Sequence, residues 1–284
     1  MKIPNRIQPL VDDGLVDDVI RRLKSGKEAD VYTVLCGDNI RCAKVYKEAS
    51  QRSFKQAVQY QEGRTVRNSR NARAMQKGSK FGRKQQEESW QTAEVDALFR
   101  LANAGVRVPQ PYLCLDGVLL MELITDADGM AAPRLSDVIL TEQQALADFD
   151  TMIRNIVRML CAGVVHGDLS EFNVLMDAEG PVIIDLPQAV DAAANNHAES
   201  MFERDVNNMT EYYGQFAPQL LTTRYAKEIW ARYEEGKLTP ETILTGEFAE
   251  DTHKADVDAL LDEIISAENE HYERQRAQKE RDDL

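Results

Sequence analysis

The sequence predicts an α+β chain of two lobes, a β-rich N-terminal lobe over residues 1–124 and a helical C-terminal lobe over residues 125–284. Three observations carry this. Up to Ile124 the apolar residues fall in short, β-rich runs broken by turn residues. From Thr141 onward they recur at intervals of three and four. Between these patterns, Thr125 to Pro133 carries Asp and Gly and no apolar run, as a linker does. A chain of 284 residues is long enough to give each lobe a core.

The elements follow in order. Leu10 to Val19 reads as a short helix broken at Gly14. Val19–Lys24, Ala29–Leu35 and Asn39–Tyr46 are strand-like, separated by Ser25-Gly26-Lys27-Glu28 and by Cys36-Gly37-Asp38. They predict two hairpins of an antiparallel sheet. Residues from about 48 to 86 then form a polar, basic stretch with little apolar periodicity, read as a flexible loop or a loosely held helix. Glu88 to Ala102 is helical, with Trp90, Val95, Leu98, Phe99 and Leu101 on one stripe and Gly105 just beyond its end. Tyr112–Leu115 and Val118–Ile124 predict a hairpin around Asp116-Gly117, a type I′ turn pair. Thr141 and Gln144 form a capping box ahead of Leu146, Phe149, Ile153, Ile156, Val157 and Leu160, and Gly163 ends that helix. Val182–Ile184 is a strand, and helices follow over Glu199–Phe216, Pro218–Tyr233 and Ala255 to about Arg281.

A net charge of −14 argues against general coating of nucleic acid. The charge is uneven, however. Arg52 to Lys84 holds ten Lys and Arg against one acid, Glu62, which marks an interaction arm or a loop drawn to the protein's own acidic surface. Cys36, Cys42, Cys114 and Cys161 are scattered without a C-x-x-C pair, as in a reduced, cytoplasmic protein. Met1 to Arg6 lacks an apolar core, so no secretory signal is expected, and no run is apolar enough to cross a membrane.

The densest chemistry lies in His166-Gly-Asp168-Leu-Ser-Glu-Phe-Asn173, followed by Ile183-Ile184-Asp185. Phosphoryl transfer from a nucleotide asks for hard oxygen ligands on a divalent cation, a cation on the phosphates and a carboxylate at the incoming nucleophile. Asp168 after a tight Gly167 turn suits the nucleophile-orienting base. Asn173 and Asp185 suit the metal ligands, and His166 props the loop. Lys44, in Cys42-Ala43-Lys44-Val45-Tyr46, is an edge-strand charge unless the sheet roofs a cleft, in which case it reaches the phosphates. It then needs a carboxylate from the next helix. Glu94 is the first candidate, with Glu87 and Glu88 behind it. Ser25 to Tyr32 has one glycine and matches no P-loop, yet Ser25, Lys27 and the backbone amides there suit phosphate oxygens. Asp205, early in the helix beyond the metal segment, is either an anchor for the catalytic loop or a surface acid.

These motifs resemble the RIO-type atypical serine/threonine protein kinases over roughly residues 10–235. Ser25-Gly-Lys-Glu-Ala-Asp-Val-Tyr32 is similar to that family's phosphate loop, His166 to Asn173 to its catalytic signature, and Ile184-Asp185-Leu-Pro-Gln188 to its metal segment. The H-G-D-x-x-x-x-N turn alone is shared with aminoglycoside and choline kinases; the Gly-Lys-Glu-Ala loop favours the RIO group. The resemblance, to a RIO1-like prokaryotic member, implies a trimmed protein-kinase-like fold, ATP with Mg²⁺ or Mn²⁺, and serine autophosphorylation. It also implies that Val31 and Ala43 line the adenine slot, that Met121 is the gatekeeper, and that Glu122 and Ile124 offer backbone bonds to the base. The short run from Pro187 to the next helix agrees with a missing activation segment.

Three functions stay open at this point. One is a protein kinase that phosphorylates its own Ser53, Thr65, Ser69 or Ser79, where Arg67, Arg70 and Arg73 would pair with the phosphate. Another is an ATPase switch with a phospho-aspartate at Asp185, acting on an RNA-containing or ribosomal particle through the basic stretch. The third is a small-molecule kinase using acids between Glu199 and Glu211.

Overall fold

In a computed structural model the chain is described over residues 3–26, 28–47 and 80–249, with side chains from Thr92 onward in the segment that begins at Lys80. Lys27, Ser53, Thr65, Ser69, Ser79, most of the basic stretch and the expected C-terminal helix lie outside the described residues. Contacts group Met1–Glu247 as one unit and set Phe248–Leu284 apart as a second.

The first unit opens with α1 (Gln8–Asp12) and β1 (Asp18–Ser25). The helix expected over Leu10 to Val19 is thus only five residues long. The Leu15 and Val16 N–H groups both turn back to the Leu10 carbonyl, and Asp17 N–H already pairs with Leu35, so the chain leaves the helix to start the sheet. β2 (Ala29–Cys36) and β3 (Asn39–Tyr46) fall where the alternation placed them. α2 (Lys80–Asn103) begins well before the expected Glu88, inside the basic stretch, where no apolar stripe marks a helix. β4 (Pro111–Leu115) and β5 (Val118–Glu122) close an antiparallel sheet of order β1-β2-β3-β5-β4. Their turn residues Asp116 and Gly117 both have positive φ, 49° and 75°, as a type I′ turn requires.

Register fixes which face of this sheet does what. Direct partners in an antiparallel pair share a face. Val31 opposes Lys44, Thr33 opposes Cys42, Cys42 opposes Met121 and Lys44 opposes Leu119. Tyr32 opposes Ala43, and Ala43 opposes Leu120. Tyr32, Ala43, Val45, Val118 and Leu120 form one core with Ile7, Leu10 and Val16. Ala29, Tyr46 and Leu119, on the opposite face, join a larger core with α2 and the helical half.

The helical half is led by α3 (Glu142–Cys161), whose Thr141 and Gln144 make both bonds of the expected capping box. Phe149, Met152, Ile153, Ile156, Val157 and Leu160 are buried along it. Then come β6 (Val164–Val165), β7 (Val174–Asp177), β8 (Gly180–Ile183) and β9 (Val190–Asp191), with β6 paired to β9 and β7 to β8. α4 (Ala198–Gly214) buries Met201, Phe202, Val206, Met209 and Tyr213. The single helix expected over Pro218 to Tyr233 is two elements, a 3-10 turn at Pro218–Thr222 and α5 (Tyr225–Glu234). Thr222 and Thr223 hydroxyls cap the carbonyls of Gln219 and Leu220, and Thr223 is extended, which ends the first element. No helix among the described residues is long and apolar enough to cross a membrane.

Thr141→Ala removes the side-chain half of the α3 cap. It is expected to lower stability by about 1 kcal/mol in urea unfolding, with the slope unchanged.

Candidate functional site

Lys44 sits on β3, on the face turned toward α2 and the segment after β8. Its Nζ lies 2.5 Å from Glu94 Oε1 and 3.0 Å from Asp185 Oδ1. Glu94 shares a helical face with Leu98 and Leu101, both buried, so the packing that seats α2 also aims this carboxylate inward. Of the three acids weighed for this role, Glu94 takes it. The Lys44 side chain is 12% exposed and that of Glu94 7%. Burial works against the ammonium, but Glu94 and Asp185 outweigh it and hold the Lys44 pKa well above its ordinary value.

Asp185 follows β8 in a left-handed backbone, φ 67°, which few side-chain-bearing residues adopt. The Lys44 ammonium holds its carboxyl below the usual carboxylate range, against the pull of burial. Asp168 has its pKa raised, first by burial and further by the negative charge of Asp185, while His166 and Arg204 oppose the shift. Its Oδ2 accepts a bond from Gln188 Nε2 at 3.1 Å. Asn173 Nδ2 donates to the Asp168 carbonyl at 2.8 Å, which leaves Asn173 Oδ1 as an acceptor. The Asn173 amide oxygen and the Asp185 carboxylate are hard donors of the kind Mg²⁺ takes, and they lie at the two ends of the β7–β8 hairpin.

The loop bearing Asp168 is held from below. Gly167, φ 80°, exposes its N–H to Asp205 Oδ2 at 2.7 Å, and Leu169 N–H reaches Asp205 Oδ1 at 3.0 Å. Arg204 donates to the Gly167 carbonyl, and Asn208 donates to that of Leu169 at 2.9 Å. Asp205 is therefore the loop anchor and not a surface acid. It is 2% exposed, and burial pushes its pKa up to about 6. His166 Nε2 lies 3.1 Å from the Ile184 carbonyl, which only accepts. The proton is thus on Nε2, and Nδ1 accepts the Asp168 N–H at 3.3 Å. His166 thus ties the loop that bears Asp168 to the segment that bears Asp185.

The other expected contacts divide. Val31 and Met121 share the Lys44 face of the sheet. Ala43 does not. It is fully buried in the core against α1, because a strand turns adjacent side chains to opposite faces. Cys42, two residues from Lys44, lies on the Lys44 face of the sheet instead, and period two from Lys44 was the signal that would have found it. Burial pushes the Cys42 thiol up to about 12, so it packs as a small apolar group. Glu122 N–H is taken by the Gln110 carbonyl and the Ile124 carbonyl by Ala132 N–H. Ser25, at the end of β1, receives a bond from Lys47 at 3.3 Å, and Lys47 also holds the Gly26 carbonyl at 2.7 Å and pairs with Asp30. Arg204 and Asn208 carry no pattern in the sequence that would have marked them, and Gln188 was marked only as the end of the Ile184–Gln188 segment.

Comparison with known proteins places the chain among relatives. The model of the RIO domain family matches residues 30–226. The chain is 35% identical over 209 residues to the RIO-type serine/threonine-protein kinase Rio1 of Haloferax volcanii, an alignment covering 73% of this chain and 67% of that protein. It is 28% identical to serine/threonine-protein kinase rio1 of Schizosaccharomyces pombe, over 92% of this chain and 53% of the relative. With human serine/threonine-protein kinase RIO1 it shares 30% identity, over 74% of this chain and 36% of the relative. The chain thus spans about half or less of these eukaryotic relatives. The solved Rio2 kinase–ADP/Mg²⁺–phosphoaspartate complex from Chaetomium thermophilum superposes with a TM-score of 0.51 at 22% identity, over 82% of this chain and 70% of that one. That likeness establishes the two-lobed kinase-like fold.

The raised pKa of Asp205 makes a signed prediction. Its folded value exceeds its unfolded value of about 4, so folding takes up a proton between the two, and the stability from this group is lost as pH rises through about 6. Wild-type stability relative to Asp205→Asn is expected to fall by roughly 2 kcal/mol between pH 4 and pH 7. Denaturant unfolding of both proteins across that range checks it, and a flat difference would refute it.

Proposed function

The chain belongs to the RIO domain family, and on that footing we propose that it is an ATP-dependent serine/threonine protein kinase that phosphorylates itself. The observation that carries this reading is the bridging of Lys44 between Glu94 and Asp185, beside an Asp168 whose loop is anchored by the Asp205 carboxylate. Lys44 offers a permanent cation to the phosphates. Asp168 orients the incoming hydroxyl and accepts its proton. Asn173 Oδ1 and Asp185 would hold Mg²⁺ or Mn²⁺, which when bound spreads the charge of the β- and γ-phosphates. The base would lie between Val31, Cys42 and Met121, with the Glu122 carbonyl and the Ile124 N–H as its backbone partners. Ser25, the nearby amides and Lys27 would face the phosphates. The four cysteines are unpaired, which suits the cytoplasm. The excess of Lys and Arg from Arg52 to Lys84 suits the hydroxyl-bearing segment as substrate, and it suits contact with an RNA-containing particle.

Incubation of the full chain with γ-labelled ATP and Mg²⁺ tests the reaction. Acid-stable, hydroxylamine-resistant label on Ser or Thr is the expected product. Hydroxylamine-sensitive label would mean an acyl phosphate and an ATPase cycle. Asp168→Ala and Asp185→Ala are each expected to lower labelling by about 10²–10⁴-fold, and undiminished labelling would remove the mechanism.

The sheet register makes a second expectation. Cys42→Leu extends into the cleft and should weaken ATP binding tenfold or more, by about 1.4 kcal/mol or above, as read by calorimetry. Ala43→Leu overpacks the core against α1 and should cost about 1–3 kcal/mol of stability with ATP affinity retained. The reverse pattern would return Ala43 to the cleft.

A further inference from the structure

Arg107 lies in the loop between α2 and β4, outside every group assigned above. Its guanidinium meets Glu122 in a two-pronged pair, Nη1 to Oε2 at 3.0 Å and Nη2 to Oε1 at 3.3 Å. The same Nη2 donates to Asp177 Oδ2 at 2.6 Å. Its backbone is held as firmly. The Arg107 N–H bonds Asn155 Oδ1 of α3 at 3.0 Å, and its carbonyl accepts the N–H of Ile183 at 2.9 Å. Glu122 Oε2 takes a further bond from Gln110 N–H at 3.0 Å. Asp177 Oδ1 accepts the N–H groups of Glu179 and Gly180, which closes the β7–β8 turn.

These contacts join two parts of the site that the sequence treats separately. Glu122 is the last residue of β5, where the backbone would meet the purine. Asp177 is at the turn of the hairpin whose outer ends carry Asn173 and Asp185. One planar fork therefore ties the purine edge of the cleft to the arm that carries both metal donors. A lysine at this position keeps the charge but lacks the fixed geometry to hold two carboxylates at once.

We infer that Arg107 is a positioning residue that sets the spacing between the hinge and the metal-bearing hairpin, so that the base and the metal–phosphate part of one nucleotide are held together more tightly than their separate affinities would give. This rests on the nucleotide reading above. The consequence is specific: disturbing the fork penalises the joined ligand and spares its halves.

The test compares wild type, Arg107→Lys and Asp177→Asn, all full-length, by calorimetric titration with three ligands: adenosine, tripolyphosphate with Mg²⁺, and ATP with Mg²⁺. Both variants keep hydrogen-bonding groups in place, and thermal unfolding confirms that each remains folded. The expected result is a loss of about tenfold in affinity for Mg²⁺–ATP, with affinity for each half-ligand unchanged. In the double variant the two losses should not multiply, because both break one fork. Equal loss for adenosine and ATP would reduce Arg107 to support of the hinge alone and overturn the inference, as would no loss at all. A wild-type chain that bound none of the three ligands would instead overturn the nucleotide reading itself.

Discussion

An ammonium group withdrawn from water has to be compensated, and at Lys44 that requirement organises the cleft. Burial disfavours the charge, and the two carboxylates that restore it come from different parts of the chain, Glu94 from α2 and Asp185 from the turn after β8. Removing either partner would leave a poorly solvated charge, so the seating of α2 and of the metal segment depends on the same atom. The left-handed backbone of Asp185 belongs to this arrangement. A locally unfavourable conformation persists because the ion pair holds the carboxylate where that backbone aims it.

A second constraint acts on the catalytic loop. Its polar backbone must be satisfied away from solvent, and α4 supplies the partners: Asp205 for two N–H groups, Arg204 and Asn208 for two carbonyls. On the other side, pairing of Val165 with Val190 runs the residues after the metal segment alongside those that lead into Asp168. That ladder is what places Gln188 within reach of the Asp168 carboxylate. The loop geometry is thus built from a helix and a two-residue ladder, with no long segment between Asp185 and α4 that would need ordering first.

Much of this was legible from residue order alone, and the reasons differ by element. The strands β2 and β3 and the Asp116-Gly117 turn follow from local alternation and positive-φ chemistry, which tertiary contacts did not override. The α3 cap was written in Thr141 and Gln144. Asp168, Asn173 and Asp185 were legible because a tight turn and a short hairpin leave few places for them. The misses have different causes. Ala43 was assigned to the cleft by family likeness, although period two from Lys44 points to Cys42. The start of α2 has no apolar stripe to announce it. The break at Thr223 rests on hydroxyl–carbonyl bonds that compete with helix continuation. Arg107 was invisible because an arginine in a polar loop looks solvated until Glu122 and Asp177 arrive beside it.

The two apolar cores explain why these long-range ties matter. One core clamps α1 against the outer face of the sheet, and it involves only the first part of the chain. The other runs without interruption from Tyr46 and Leu119 through Val95, Leu98 and Leu101 to Ile183 and Leu186. The helix that carries Glu94 is therefore packed with residues flanking Asp185, not only with its own sheet. Dense apolar packing of this kind resists sliding, since small displacements forfeit many contacts at once. Among the described residues the sheet and the β7–β8 hairpin are also joined by polar ties: Lys44 to Asp185, and Arg107 to Glu122 and Asp177. Polar ties of defined geometry can be exchanged for ligand oxygens in a way that buried methyl groups cannot. It follows that a nucleotide entering this cleft would exchange the Lys44–Asp185 pair first and leave the α2 packing, and with it the position of Glu94, in place.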